Sequence, residues 1–250
     1  MSFDISHILN SWSYKPGEVN ARKISADDGS EKIQLRLDLG ILQMEMTGRP
    51  DRTRPFGFES LLEYYKDKLS KHSSSDPDTP FALDEYDCEQ LRNEGVMYYH
   101  RYLACFVLGE YKTVVEDTAR NLEMFDLCQQ HASCDSDRNV QESARPYVIM
   151  MNSRSAAQLE LARNQPGCAY QLVQNGIAKI QALYHKFDRD DLLATCPELM
   201  TLRSLARDIK AAIPVDPARK LEDSLKAAIC QERYEEAARL RDEIRKLKEQ

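Results

Sequence analysis

The sequence is poor in glycine, with 9 in 250 residues, where about 7% is usual. That shortage excludes loop-dominated and collagen-like chains. It has no long apolar run: the longest, Tyr102 to Leu108, falls far short of the roughly 18–20 residues that cross a bilayer, so no membrane span is expected. It has no basic surplus, since 34 Lys and Arg stand against 41 Asp and Glu, for a net charge of -7. Grip on nucleic acid through phosphate contacts requires the opposite sign, so direct binding to nucleic acid is disfavoured. Met1 to Asn10 carries neither a basic segment nor an apolar core, and no secretory leader is expected. The cysteines number seven, are scattered, and never occur as C-x-x-C. Such thiols are expected to be reduced in a cytoplasmic protein.

With 42% apolar residues the chain has enough material for a folded core. Ile33, Leu35, Leu37 and Leu39 alternate with Gln34, Arg36 and Asp38, the period of a strand with one buried face. Asp27-Asp28-Gly29-Ser30 supplies a turn before it, so Val19 to Ile24 reads as a partner strand. Leu42, Met44 and Met46 resume the alternation after Gly40. A sheet of two or three strands cannot stand alone and must pack on helices.

A helix is predicted over 58–71, and Ser73 to Pro80 reads as a linker. Further helices are predicted at 84–108, 111–131, 137–163, 167–187 and 198–213, with breaks at Gly109, His131 to Asp137, Pro166-Gly167 and Cys196-Pro197. Pro146 predicts a kink in the third of these or a later start. A faint repeat runs from Tyr98 to Phe125 and again from Ser153 to Leu183. It resembles tetratricopeptide helix pairs, although neither unit opens on Trp and the spacing is too long.

The last segment is the most distinctive. Asp216-Pro217 opens a helix. Leu221, Leu225, Ala228 and Ile229 make one apolar stripe, and Tyr234, Ala237, Ala238, Leu240, Ile244 and Leu247 a second, with a break at Cys230 to Arg233. Two short amphipathic helices fold back as an αα-hairpin, too small to bury its own apolar faces. It therefore needs the rest of the chain, a second copy or another protein. By count, residues 1–57 carry eight charges of each sign and residues 216–250 nine of each, so the acid surplus lies between them.

The string Tyr234-Glu235-Glu236-Ala237-Ala238-x-Leu240-Arg241-Asp242-x-Ile244-x-x-Leu247 closely resembles the UVR domain, the UvrB/UvrC motif. In that family the module is a helical hairpin joining an excision-repair helicase to a nuclease. It occurs also in Clp-type ATPases and in the McsA regulators of stress proteolysis. The resemblance implies protein–protein contact, self-association included, and it implies no catalysis. The catalytic companions of the motif are missing: no G-x-x-x-x-G-K-S/T phosphate loop, no Gly-Ile-Tyr nuclease strand and no paired C-x-x-C zinc site occurs in the sequence. The body, with Gln34 to Met44 followed by Gly48-Arg49-Pro50-Asp51, looks like that of bacterial UVR-motif proteins.

These readings give a mainly α fold with a small N-terminal antiparallel β-hairpin or sheet. Residues 1–72 form the sheet and a helix, 83–213 a bundle of antiparallel tetratricopeptide-like helix pairs, and 216–250 the UVR hairpin. The expected function is a non-enzymatic cytoplasmic adaptor or scaffold without cofactor, linked to excision repair or stress proteolysis. It would bind a protein partner or itself through Leu221, Leu225, Ala228, Ile229, Tyr234, Ala237, Leu240, Arg241, Ile244 and Leu247. Two alternatives stay open. One is a DNA-repair accessory factor that touches nucleic acid. The other is a metal-dependent or small-molecule-binding enzyme using a polar pocket on the open sheet face (Arg36, Asp38 and Gln43, with Arg49 and Asp51 beyond). Cys128-x-x-His131-x-x-Cys134 has ligand types suited to zinc and would need a fourth ligand, for which Asp135 or Asp137 is at hand, but it reads first as a helix end with two incidental thiols.

Overall fold

The computed structural model describes residues 4–75, 78–213, 221, 224–226, 228, 229 and 233–248. The chain forms two compact units, Met1–Arg207 and Asp208–Gln250.

The first unit opens with a short helix α1 (Ser6–Asn10) and three strands, β1 (Asn20–Ser25), β2 (Glu31–Arg36) and β3 (Ile41–Glu45). The sheet is antiparallel in the order β1-β2-β3. Gly29 takes a φ of +79° in the first hairpin, the conformation glycine supplies without steric cost. Ile33, Leu35 and Met44 are buried, and β1 and β2 lie against helix α3 (Glu85–Leu108).

The sequence reading of the sheet needs two corrections. The alternation does not continue through Leu37 and Leu39, because β2 ends at Arg36 and a tight turn follows, closed by the Leu37 N–H on the Gly40 carbonyl at 2.9 Å. Leu39 is left 87% exposed. Nor is the polar face of β2 open: Lys32, Gln34 and Arg36 are all buried. As the central strand, β2 has neighbours on both sides. Register aligns Arg22, Gln34 and Gln43 in one row. The Arg22 Nε–H donates to Gln34 Oε1 at 2.8 Å, and the Gln34 amide donates to Gln43 Oε1 at 2.9 Å. Arg22 also stacks on Trp12, its guanidinium carbon 4.2 Å from the ring centre, so the N-terminal segment covers part of this face.

Helices α2 (Leu61–Ser75), α3, α4 (Tyr111–His131), α6 (Arg145–Ala162) and α7 (Pro166–Lys186) follow, with a short α5 (Asp135–Asn139) between α4 and α6. Each of α3, α4, α6 and α7 packs on the next, and each unit of the faint repeat falls on one helix pair. Local signals set the boundaries. Asp84 caps α3, accepting the Asp87 N–H at 2.8 Å. Gly109 ends it at φ +77°, with the Glu110 N–H returning to the Cys105 carbonyl at 2.9 Å, a left-handed glycine termination. Pro146 resolves as a later start, standing in the first turn of α6 where its missing N–H costs nothing. The helix predicted at 58–71 runs on through Ser73, Ser74 and Ser75, whose hydroxyls each donate to the carbonyl four residues back. Three serines assigned from sequence to the linker therefore lie in the last turn of the helix.

Leu61, Leu62, Tyr65, Leu83, Leu91, Met124 and Phe125 join α2, α3 and α4 in one core. Each fully buried side chain of this size contributes about 1.5–3 kcal/mol. The segment before α3 is fastened to the end of α4: the Leu83 N–H donates to the His131 carbonyl, and the Ser133 N–H to the Leu83 carbonyl, both at 2.8 Å. A helix α8 (Pro197–Ala212) begins in the first unit and ends in the second. Among the described residues no helix is long and apolar enough to cross a membrane.

Candidate functional site

In the second unit, Leu221, Ser224–Lys226 and Ala228–Ile229 are helical, and α9 spans Tyr234–Lys248. The Arg233 N–H reaches back to the Ala228 carbonyl at 2.8 Å, and α9 starts with the Ala237 N–H on the Arg233 carbonyl at 3.0 Å. Ala228, Ala237 and Ile244 are buried, Leu221, Leu225 and Leu240 partly so, and Arg241 is exposed beside Asp242. Small residues at the inward positions allow helices to approach closely. Two large apolar side chains among the described residues face out: Ile229 is 51% exposed and Tyr234 68%. Tyr234 borders an open groove that it shares with Arg233, Glu235, Glu236 and Arg239. The Leu247 side chain lies outside the described residues, as do residues 230–232 of the break predicted at Cys230 to Arg233.

The five residues read as a polar pocket are not brought together. Arg36 folds over its own turn, donating to the carbonyls of Trp12 at 2.9 Å, Gly40 at 3.1 Å and Asp38 at 3.2 Å, and to that of Leu37. Asp38 accepts the Leu39 N–H at 2.8 Å, and Gln43 is held by Gln34. Arg49 lies elsewhere, its guanidinium 3.1 Å from Asp51 and 3.3 Å from Glu94 on α3. The arginine is a fastener for the loop rather than a member of a sheet-face pocket.

Cys128, His131 and Cys134 also diverge. Cys128 is fully buried against Met124. His131 meets Phe81 edge to face, ring centres 5.5 Å apart. Cys134 donates to Asp137 at 3.0 Å at the start of α5. Among the described residues no three His, Cys, Asp or Glu side chains are placed to hold a metal ion. Cys88 and Cys105 are buried, and burial pushes each thiol up to about 12, whereas Cys134 and Cys168 are exposed. Being exposed, Cys134 and Cys168 are within reach of a thiol reagent and are expected to label in the folded chain. Cys88, Cys105 and Cys128 should label only on unfolding, as peptide mapping by mass spectrometry would read.

Sequence reasoning missed a buried ionic centre between α3 and α4. Glu94 is fully buried and takes both the Arg49 and the Arg120 guanidinium. It also accepts the backbone N–H of Leu61 at 2.8 Å and of Leu62 at 3.3 Å, so it caps the free donors of α2. Arg101 binds Asp117 through two parallel bonds of 2.8 and 2.6 Å and donates to the Gly48 carbonyl at 2.7 Å. Tyr98 lies between the two cations, its ring 5.0 Å from the Arg101 carbon and 4.3 Å from that of Arg120. Burial first, and the Arg49 charge second, pull Arg120 below the usual arginine range. The signal was present: Glu94, Tyr98 and Arg101 follow Leu91 at helical spacing, on the face that carries the core.

Residues 217–250 match the family model of the UvrB/uvrC motif. Motifs of this class are protein-interaction modules in general and are known in proteins of DNA repair and of proteolysis. No curated protein matches the chain, and no solved structure does.

Proposed function

We propose that this chain is a non-enzymatic adaptor that docks to a protein partner or to a second copy of itself through its C-terminal helical hairpin. The observation that carries the reading is the motif match over 217–250 on a unit that leaves Ile229 and Tyr234 exposed. Large apolar side chains concentrated on a small charged module mark contact surfaces. The motif is specific in sequence, and the catalytic partners that accompany it elsewhere have no counterpart in the sequence.

Ile229→Asp together with Tyr234→Asp tests this. Both side chains face solvent, so the folded chain should keep its melting temperature within about 2 °C. Recovery of the partner, or of the dimer, should fall on the order of tenfold or more, since truncating a central aromatic contact costs about 2 kcal/mol or more. Unchanged recovery with an intact fold would remove the hairpin from the interface. Substitution at Ala228, Ala237 or Ile244 is less informative, because those residues are buried and their replacement disturbs the module itself.

A further inference from the structure

Two open hollows adjoin in the first unit where α4 and α7 flank the start of α6. One, of about 440 Å³, lies between Leu122 on α4, Ile149 on α6 and Ala182 on α7, with Lys179 and Lys186 on its α7 wall. The other, of about 690 Å³, runs on past Pro146 to Phe187 and Leu192. Leu183 borders both, so together they make one groove along α7. Its apolar lining is incompletely covered: Leu122, Leu183 and Leu192 are half-buried, and Phe187 is 39% exposed. From Lys179 to Phe187 the groove follows α7 for about 12 Å, a little over two helical turns.

Charge sets this wall apart from a body that carries the acid surplus of the chain. Arg145, which also borders the first hollow, is already spent on Glu142 and Asp126, both at 2.7 Å. Lys179 and Lys186 are exposed, two turns apart on α7, and neither pairs with a carboxylate among the described residues. Lys186 lies instead over the Phe187 ring, 5.5 Å from its centre. Asp188, Asp190 and Asp191 follow at the far end, where Asp190 meets His185 at 3.1 Å and Asp191 meets Arg189 at 3.8 Å. The unbalanced positive charge is thus confined to the stretch flanked by the two lysines.

We propose that this groove docks an amphipathic helix of a partner protein, its apolar stripe on Leu122, Leu183 and Phe187 and its acidic flank on Lys179 and Lys186. A groove between packed helices takes a further helix by the same fit of ridges that joins its own walls. A concave site suits a rod better than a flat lipid surface, and the acid surplus disfavours nucleic acid. The groove lies wholly in the first unit, so it is separate from the hairpin and gives the adaptor a second end.

The probe is a fluorescent peptide of about 15 residues, long enough for a few helical turns. It is built of Leu, Ala and Glu, with leucines at i, i+3, i+4 and i+7 and glutamates along one flank. Titration with the full chain, read by anisotropy, should saturate, with binding about tenfold or more tighter than that of a scrambled peptide of the same composition. Lys179→Glu with Lys186→Glu should weaken binding about tenfold, and less at high salt, where exposed charges are screened. Phe187→Ala should weaken it by about as much at any salt. Ile229→Asp with Tyr234→Asp should leave it unchanged; a loss there would put the peptide on the second unit and overturn the inference while leaving the hairpin reading intact. No saturable binding, equal affinity for the scrambled peptide, or indifference to the lysine reversals or to Phe187→Ala would each overturn it. So would binding to phosphatidylserine vesicles, abolished by the lysine reversals, in place of binding to the peptide.

Discussion

Replacing Glu94 by Gln should destabilise the first unit by about 3–5 kcal/mol, the range seen when one member of a buried ionic group is removed. Glu94 is buried completely and serves four donors: two guanidiniums and the N–H groups of Leu61 and Leu62. Glutamine offers one acceptor oxygen in place of two and turns an NH₂ toward a cation. Arg49 and Arg120 then face each other in a poorly solvated space without their shared carboxylate. At about 2–4 °C per kcal/mol for a unit of this size, the melting temperature should fall by roughly 6–20 °C. Glu63→Gln is the control, because Glu63 also pairs with a lysine, Lys66 at 3.0 Å, but both side chains are about half exposed. That change should cost less than about 1 kcal/mol. Equal effects in thermal unfolding would show that the buried centre contributes no more than a surface pair.

The second large effect concerns two helical glycines with opposite surroundings. A Cβ on Gly176 in α7 would sit 2.7 Å from Ser153 Cβ on α6, closer still to the Ser153 hydroxyl, and 3.3 Å from Leu202 Cδ1 on α8. The obstacle includes atoms next to the backbone, which cannot swing away. Gly176→Ala should therefore cost about 1–3 kcal/mol, as overpacked cores do. At Gly95 in α3 the near atom is the Met124 methyl, 2.6 Å away, at the end of a flexible side chain. There Ala recovers up to about 1 kcal/mol of helix propensity, and the two effects should nearly cancel. Urea unfolding of the two variants separates them. A loss at Gly95 as large as that at Gly176 would mean that the close approach of α6 and α7 is not what selects glycine.

Much of the architecture was legible because its signals are local. Period-two alternation located β2 and β3. Gly109, Pro146, Pro166 and Pro197 marked helix boundaries through backbone geometry alone, and the C-terminal string carried its own family pattern. What the sequence hid was non-local. Alternation at Leu37 and Leu39 continued a strand pattern through a turn closed by Leu37 and Gly40. Arg36 and Gln34 read as solvent-facing until the sheet order placed β2 in the middle. Arg49 and Asp51 lay near the sheet in sequence, but Glu94 on α3 draws Arg49 away from it. Cys128, His131 and Cys134 were close in number, yet the end of α4 and the start of α5 place them in three different surroundings. Glu94 and Arg101 were missed because charged side chains at core positions of a helix make sense only with their partners, and Arg49, Asp117 and Arg120 come from other elements.

The adaptor role rests on the outward apolar residues of the second unit, and crosslinking examines it directly. A photoreactive amino acid placed at Tyr234 is compared in cells with the same residue at Tyr86. Both tyrosines are similarly exposed, at 68% and 66%, but Tyr86 belongs to α3 in the first unit. A docking hairpin predicts a discrete adduct from position 234, with one partner or with a second copy of this chain, abolished by Ile229→Asp, and none from position 86. The same diffuse products from both positions, or a discrete adduct from position 86 alone, would contradict the account.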